Sequence, residues 1–265
     1  MKILKILLLG GTADARQLAD QLHLRGVHVI YSIAGLVRVP RLGCEVLVGG
    51  FTQFGGLERY LTDHNISLVV NATHPYALNM TNTAVRASKK VGVDCWRFLR
   101  PEWQIEAGDN WIYYENEDQL INALSRFQRP LLSAGQHSQE FIMSVAGLSS
   151  IDVVCWRTAV TPKFMLPDDV KWQKAIGPFN FESERAFIGD NHIDVIVSKN
   201  SGGKSTYAKL EVARKQSIPV LMHRRPITET ASATYSSHDE IMDDIIDFSN
   251  KFCQKNQAQK GSTQQ

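Results

Sequence analysis

The stretch Ile3-Leu4-Lys5-Ile6-Leu7-Leu8-Leu9-Gly10-Gly11-Thr12 decides the fold. An almost unbroken apolar run that stops at two glycines is the pattern of a strand buried on both faces, as in a parallel sheet. Residues 13–25 then place Ala15, Leu18, Ala19 and Leu22 on one side and Asp14, Arg16, Gln17 and Asp20 largely on the other, the period of an amphipathic helix. Gly26 ends that helix, and 27–33 reads as the next strand, so the chain opens with a βαβ unit.

The alternation continues outward from there. Strands are predicted at 44–48, 66–72 and 93–98, and helices at 57–64 and 76–90. Pro101 and Gly108 mark a break, after which 111–114 and 118–127 read as one more strand and helix. Pro130 begins a second series, with strands at 131–134, 151–156, 193–198 and 218–222. Its helices fall at 138–146, 181–188, 207–216 and near 239–252, and a proline-punctuated loop follows residue 156. Strands and helices alternating at these lengths imply parallel sheets with right-handed crossovers. The expected fold class is α/β: two three-layer Rossmann-like lobes with mainly parallel sheets and a cleft between them. The expected domains are 1–125 and 126–255, with 256–265 a polar, disordered tail.

Composition narrows the function. The chain has 265 residues, 43% hydrophobic and 21% charged, with 29 Lys and Arg against 27 Asp and Glu, a formal charge of +2. So even a balance gives no reason to expect a nucleic-acid partner, which needs a concentrated basic surface. Cys44, Cys95, Cys155 and Cys253 are scattered without metal-ligand spacing and read as buried free thiols, and no metal site is expected. Residues 1–9 are too short for a signal peptide, and no apolar run approaches the ~20 residues that span a bilayer. The expected location is cytoplasmic, with no membrane partner.

Five strand ends carry candidate binding elements. Gly10-Gly11-Thr12 joins the first strand to its helix, where glycines let the backbone approach a ligand and the helix N-terminus offers N–H groups to a phosphate. Without GxGxxG, the turn is either a nucleotide-binding element or only a tight connection. The second strand ends at Ser32, with Arg38 and Arg41 beyond and no Asp or Glu for an adenosine ribose, which favours NADP(H) over NAD(H) unless those arginines are simply exposed. At the end of the fourth strand, Pro75 restrains His74 in Thr73-His74-Pro75. That histidine reads equally as a proton donor or as a structural residue. Gly49-Gly50-Phe51 lies at the same edge. In the second series, Ser198-Lys199-Asn200-Ser201-Gly202-Gly203-Lys204-Ser205-Thr206 is not a P-loop, since the first glycine of GxxxxGK[ST] would fall at Ser198. It suits carboxylates or a pyrophosphate, or is a solvated basic loop. No pattern supports covalent catalysis, which hydride transfer does not need.

Taken together, Gly10-Gly11-Thr12-Ala13-Asp14-Ala15-Arg16, Asn71-Ala72-Thr73-His74-Pro75-Tyr76-Ala77, Arg100-Pro101-Glu102-Trp103 and Ser198-Lys199-Asn200-Ser201-Gly202-Gly203 occur in the order seen in precorrin-6A reductases. The resemblance covers nearly the whole chain and is most specific in the Ala-Thr-His-Pro and Lys-Asn-Ser-Gly-Gly segments. It implies an oxidoreductase of cobalamin biosynthesis that delivers hydride to a ring double bond of precorrin-6A or cobalt-precorrin-6A. The implied cofactor is NADPH, with NADH as the second choice. The implied substrate is a carboxylate-rich tetrapyrrole, and transient contact with neighbouring pathway enzymes fits such a role. By the same resemblance His74 and Lys199 are candidate catalytic residues. Gly10, Gly11, Thr12, Ser32, Arg38, Gly50, Thr73, Asn200, Ser201, Gly202 and Gly203 are candidate cofactor-binding residues. Arg16, Lys199 and Lys204 are candidate partners for substrate carboxylates.

The sequence departs from the family pattern at Asp14, often Glu, at Asn71, commonly Asp, and at Leu36, often Arg, where Arg38 is the candidate to take over the contact. Two competing readings are a short-chain-type NADP(H)-dependent reductase and a non-catalytic NADP(H)-binding regulator. Against the first, Tyr207 is followed four positions later by Glu211 and not by Lys. Arg38→Ala is expected to weaken NADPH binding more than NADH binding in calorimetric titrations, and equal losses would remove Arg38 from the phosphate site.

Overall fold

The computed structural model describes residues 4–34 and 39–261. The chain divides into two units, one built from the residues up to Pro101 and again from Ile227 onward, the other from Glu102 to Pro226. The first unit contains β1 (Lys5–Leu9), α1 (Ala13–Leu24), β2 (His28–Ile33), β3 (Glu45–Val48), α2 (Leu57–Asp63), β4 (Leu68–Asn71), α3 (Leu78–Val91) and β5 (Asp94–Phe98). The second contains β6 (Trp111–Tyr114), α4 (Glu117–Leu124), β7 (Pro130–Leu132), α5 (Gln139–Ala146), β8 (Val154–Thr158), β9 (Val170–Lys174), α6 (Phe181–Asp190), β10 (Val195–Lys199), α7 (Ala208–Gln216) and β11 (Val220–His223). The chain then returns to the first unit with β12 (Ala233–Tyr235) and α8 (His238–Gly261).

Each unit carries one six-stranded sheet, in the orders β12-β5-β4-β1-β2-β3 and β6-β11-β10-β7-β8-β9. Every ladder between the described strands is parallel. Both sheets follow the doubly wound order 3-2-1-4-5-6, with β1 and β7 as the respective first strands. The sixth place is filled out of turn in each: β12 arrives last in the chain, and β6 precedes the strands it joins.

Alternation along the strands builds the layers. Ile6 and Leu8 of β1 face Leu18, Ala19 and Leu22 of α1 and Ile241, Met242 and Ile245 of α8. Leu7 and Leu9 face Leu57 and Leu61 of α2 and Ala84 and Ala87 of α3. In the second unit Leu132 and Val197 pack with α4 and α5, and Leu131 and Ile196 with α6 and α7.

The structure departs from the sequence reading in several places. Strand β6 and helix α4, expected in a first domain ending at 125, belong to the second sheet, because β6 pairs with β11. The loop after residue 156 contains β9, and residues 233–235 form β12, two edge strands with little apolar patterning. Helix α3 starts at Leu78 because the Ala77 N–H donates to the His74 carbonyl (2.8 Å), a turn that precedes the helix. Helix α8 runs to Gly261, so the expected disordered tail is helical over 256–261. Only Cys95 and Cys155 are buried; Cys44 is half-buried and Cys253 exposed, and all four are free thiols.

One buried ion pair ties α6 to the second sheet. Arg157 of β8 donates to both carboxylate oxygens of Glu184 (2.6 and 2.7 Å), with its guanidinium over the rings of Phe179 and Phe187 (4.9 and 4.8 Å). Glu184→Gln is expected to cost about 3–5 kcal/mol in urea unfolding, because it leaves a buried guanidinium without its counter-charge. Arg157→Met combined with Glu184→Leu should recover most of that loss. A single variant as stable as the wild type would show that the pair is not desolvated.

Candidate active site

In an open parallel sheet the ligand crevice forms at the carboxyl ends of the strands where the strand order reverses. In the first unit that point lies between β1 and β4, which are paired with Leu9 opposite Asn71. The turn after β1 is held from both sides. The Gly10 N–H donates to the Ser32 carbonyl (2.8 Å) and the Gly11 N–H to the Tyr31 hydroxyl (2.9 Å). A Cβ on Gly10 would lie 2.3 Å from the Tyr31 ring, so only glycine fits. Gly11 takes φ +107° with open space above its Cα. Thr12 caps α1: its hydroxyl accepts from the Ala15 N–H (3.1 Å) and donates to the Ala72 carbonyl after β4 (2.9 Å). Thr12 therefore shapes the turn with its side chain, and a ligand here would meet backbone groups at the helix N-terminus.

Asn71 organises the opposite wall. Its side-chain oxygen accepts from the Thr73 N–H (3.1 Å) and hydroxyl (2.7 Å), while its amide donates to Thr81 Oγ1 (3.1 Å). The asparagine thus acts as donor and acceptor at once. His74 Nδ1 accepts from the Tyr76 N–H (3.3 Å), so a neutral ring carries its proton on Nε2. A shallow crevice is lined by Thr12, Asp14, Ala72, Thr73, Pro75 and Phe98 together with Arg100. Arg100 donates to Asp14 (2.6 Å), and His238 Nε2 lies 3.7 Å from the same carboxylate. The sequence reading gave none of these three a cofactor or catalytic role, although Asp14 and Arg100 stand in segments that carry the resemblance.

Along this edge the structure brings Gly10, Gly11, Thr12, Ser32, Gly50 and Thr73 onto four neighbouring strand ends, with His74 next to Thr73. Ser32 is buried, whereas Gly11 and Gly50 are exposed. Arg38 lies outside the described residues.

The second unit repeats the arrangement between β7 and β10. The loop after β10 is stiffened by Asn200, whose side-chain amide accepts from the Trp103 N–H (2.8 Å) and donates to the Trp103 carbonyl (3.1 Å). Arg225 Nε donates to the Asn200 carbonyl (2.8 Å). Asn200 and Ser201 are buried, and Gly202 adopts φ +71°. Behind the loop, Lys209 is buried and donates to the Thr206 carbonyl (3.1 Å), and desolvation, with Arg157 nearby, pushes its pKa down to about 8. Tyr207, the residue a short-chain reductase would use, donates its hydroxyl proton to Glu106 and accepts from Arg214 (2.8 Å).

The turn after β7, residues 133–138, is the counterpart of Gly10-Gly11-Thr12 and was missed by the sequence reading. Gly135 takes φ +99°, and Lys199 Nζ lies 3.6 Å from where its Cβ would be. Ser133 Oγ donates to the Val197 carbonyl (2.7 Å), and Ser138 caps α5 through the Phe141 N–H (3.1 Å). The available signal was the strand–glycine–cap–helix order, the same grammar as at Gly10. Among the described residues no group of His, Cys, Asp and Glu is placed to hold a metal ion, and no helix is long and apolar enough to cross a membrane.

The chain is similar to known proteins along most of its length. The family model described as Precorrin-6x reductase CbiJ/CobK matches residues 5–245. A precorrin-6A reductase of Sinorhizobium sp is 38% identical over 83% of this chain and 85% of its own length. The Rhodococcus erythropolis precorrin-6A reductase is 36% identical, over 87% and 92%. A cobalt-precorrin-6A reductase of Priestia megaterium is 25% identical, over 91% and 98%. The solved structure titled CobK precorrin-6A reductase superposes with a TM-score of 0.83 at 30% identity, covering 92% of this chain and 97% of that one. The chain belongs to the precorrin-6x reductase CbiJ/CobK family.

Proposed function

We propose that this chain reduces one ring double bond of precorrin-6A in cobalamin biosynthesis, with NADPH as the reductant. The observation that carries the reading is the switch point of the first sheet, with its glycine turn, helix N-terminus and Thr73-His74 wall, in a chain matched to a reductase family from residue 5 to 245. When bound, the nicotinamide supplies a hydride to one ring carbon, and a proton completes the reduction. The residues present fit that cofactor. Gly11 leaves open space for a close backbone approach, and the α1 N-terminus suits a pyrophosphate. Strand β2 ends in Ser32-Ile33 where an NAD-specific fold carries an acidic residue, which favours a ribose phosphate and hence NADPH over NADH. Gly50 after β3 and Thr73 after β4 flank the neighbouring ends of β1 and β2 along the edge, and Arg38 remains the candidate for the phosphate itself.

His74, acting as the imidazolium and returning to the neutral ring that accepts from the Tyr76 N–H, is the proposed proton donor. Lys199 is proposed to meet a substrate carboxylate, with Ser201, Gly202 and Gly203 forming the loop beside it. Relatives called precorrin-6A reductase reach 33–38% identity and those called cobalt-precorrin-6A reductase 23–25%, which supports the cobalt-free substrate. Free thiols suit a cytoplasmic setting, where hand-over to neighbouring pathway enzymes would occur.

Anaerobic incubation with precorrin-6A and either NADPH or NADH, followed by nicotinamide absorbance, is expected to show oxidation with a preference for NADPH. Cofactor binding without oxidation beside competent substrate would overturn the reading. His74→Gln should lower kcat about 100-fold and remove one limb of the pH–rate profile while leaving the KM for NADPH unchanged. A wild-type kcat would hand protonation to solvent.

A further inference from the structure

Lys209 carries a charge where the fold disfavours one. It is the second residue of α7, on the buried face with Val212 and Ala213, and only 6% of it is exposed. The first turn of a helix is its positive end, which repels a cation. Burial, then Arg157, push the pKa of the ammonium down to about 8, with Glu184 opposing. Glu184 gives both carboxylate oxygens to Arg157 (2.6 and 2.7 Å), and among the described residues Lys209 forms no ion pair. A methionine would fill the same space without these penalties.

What the ammonium does hold is the loop after β10. Nζ donates to the Thr206 carbonyl (3.1 Å), at the end of the 3₁₀ turn Lys204–Thr206, and lies over the Trp103 ring (5.8 Å to its centroid). Trp103 is the residue that Asn200 grips by both backbone groups (2.8 and 3.1 Å). The Tyr207 ring packs against the same indole (5.7 Å), and the Phe179 N–H donates to the Ser205 carbonyl (2.9 Å). The ammonium therefore reaches both ends of the loop, residue 206 directly and residue 200 through Trp103. A hydrogen bond from a charged donor is stronger than a neutral one, and a desolvated cation is attracted to a ring face.

We propose that Lys209 is a positioning residue for the loop from Lys199 to Thr206, its ammonium tying the Thr206 carbonyl and the Trp103 ring to one point behind the loop. This role rests on the proposed function only where it takes that loop as the substrate's, and the anchoring itself needs no ligand. Lys209 touches neither substrate nor cofactor. It acts through the backbone of the loop, which it keeps in the shape that meets the tetrapyrrole, so that binding need not order it.

The test uses the full chain with Lys209→Met, and with Lys209→Gln as a second neutral variant. Because the fold disfavours the charge, the urea midpoint of each should equal or exceed the wild-type value. Without ligand, hydrogen exchange should quicken about 10-fold at the amides of Trp103 and Tyr207 and stay unchanged at Ile196 and Val197 of β10. In anaerobic steady-state assays the KM for precorrin-6A should rise about 10-fold, with kcat and the KM for NADPH at their wild-type values. Wild-type exchange at both loop amides would overturn the anchoring, and so would a wild-type KM for precorrin-6A in a protein that turns over. Failure of both variants to fold would also overturn the role, because the ammonium would then belong to the fold and not to the site. If the wild-type protein does not turn over precorrin-6A while the loop amides quicken in the variants, the anchoring stands and the reductase reading alone falls.

Discussion

The Thr12 hydroxyl holds the first unit's site together. It accepts from the N–H of Ala15, which α1 cannot satisfy internally, and donates to the carbonyl of Ala72, which the β4 ladder has just released. One side chain therefore closes a helix end and spans the point where the strand order reverses. On the other flank Tyr31 reaches up from β2 to accept from the Gly11 N–H, with its ring filling the space that a Gly10 side chain would need. Each bond contributes only about 1 kcal/mol net, but together they fix the turn from both neighbouring strands before a ligand arrives. Binding then need not order the backbone that contacts it.

The two sheets reach the same topology with different electrostatics at the ligand edge. At the first, Asp14 and Arg100 stand as a half-buried pair, charge against charge. At the second, Lys199 reaches over Gly135, and Lys209 behind the loop is itself desolvated. A paired edge favours a ligand held by backbone amides and shape.

Much of this was legible in the residues. The apolar runs of β1, β4 and β10 stand out because both faces are buried, and Gly10-Gly11-Thr12 announces a turn and a helix cap. Strands β9 and β12 were not legible: Val-Lys-Trp-Gln-Lys and Ala-Thr-Tyr sit at sheet edges, where half the side chains meet water and apolar patterning fades. Nor was the unit boundary, since β6 and β12 are recruited by partners far away in sequence. The turn at 133–138 was not legible either, since only the order of the strands places it beside Lys199. Asn200 was legible as a loop residue at a strand end, but its commitment to the Trp103 backbone was not.

The late arrival of β12 and α8 bears on how the molecule is made. The core of the first unit includes Ile241, Met242 and Ile245, packed against α1 residues made more than 200 positions earlier in the chain. The second unit, complete by Pro226, needs nothing downstream of itself. During synthesis the N-terminal half must wait with an open sheet edge and an uncovered apolar face while the middle of the chain closes, the reverse of the usual N-to-C order. That exposure lasts until α8 emerges, so the core of the first unit closes only with the helix whose first residue, His238, also borders the crevice.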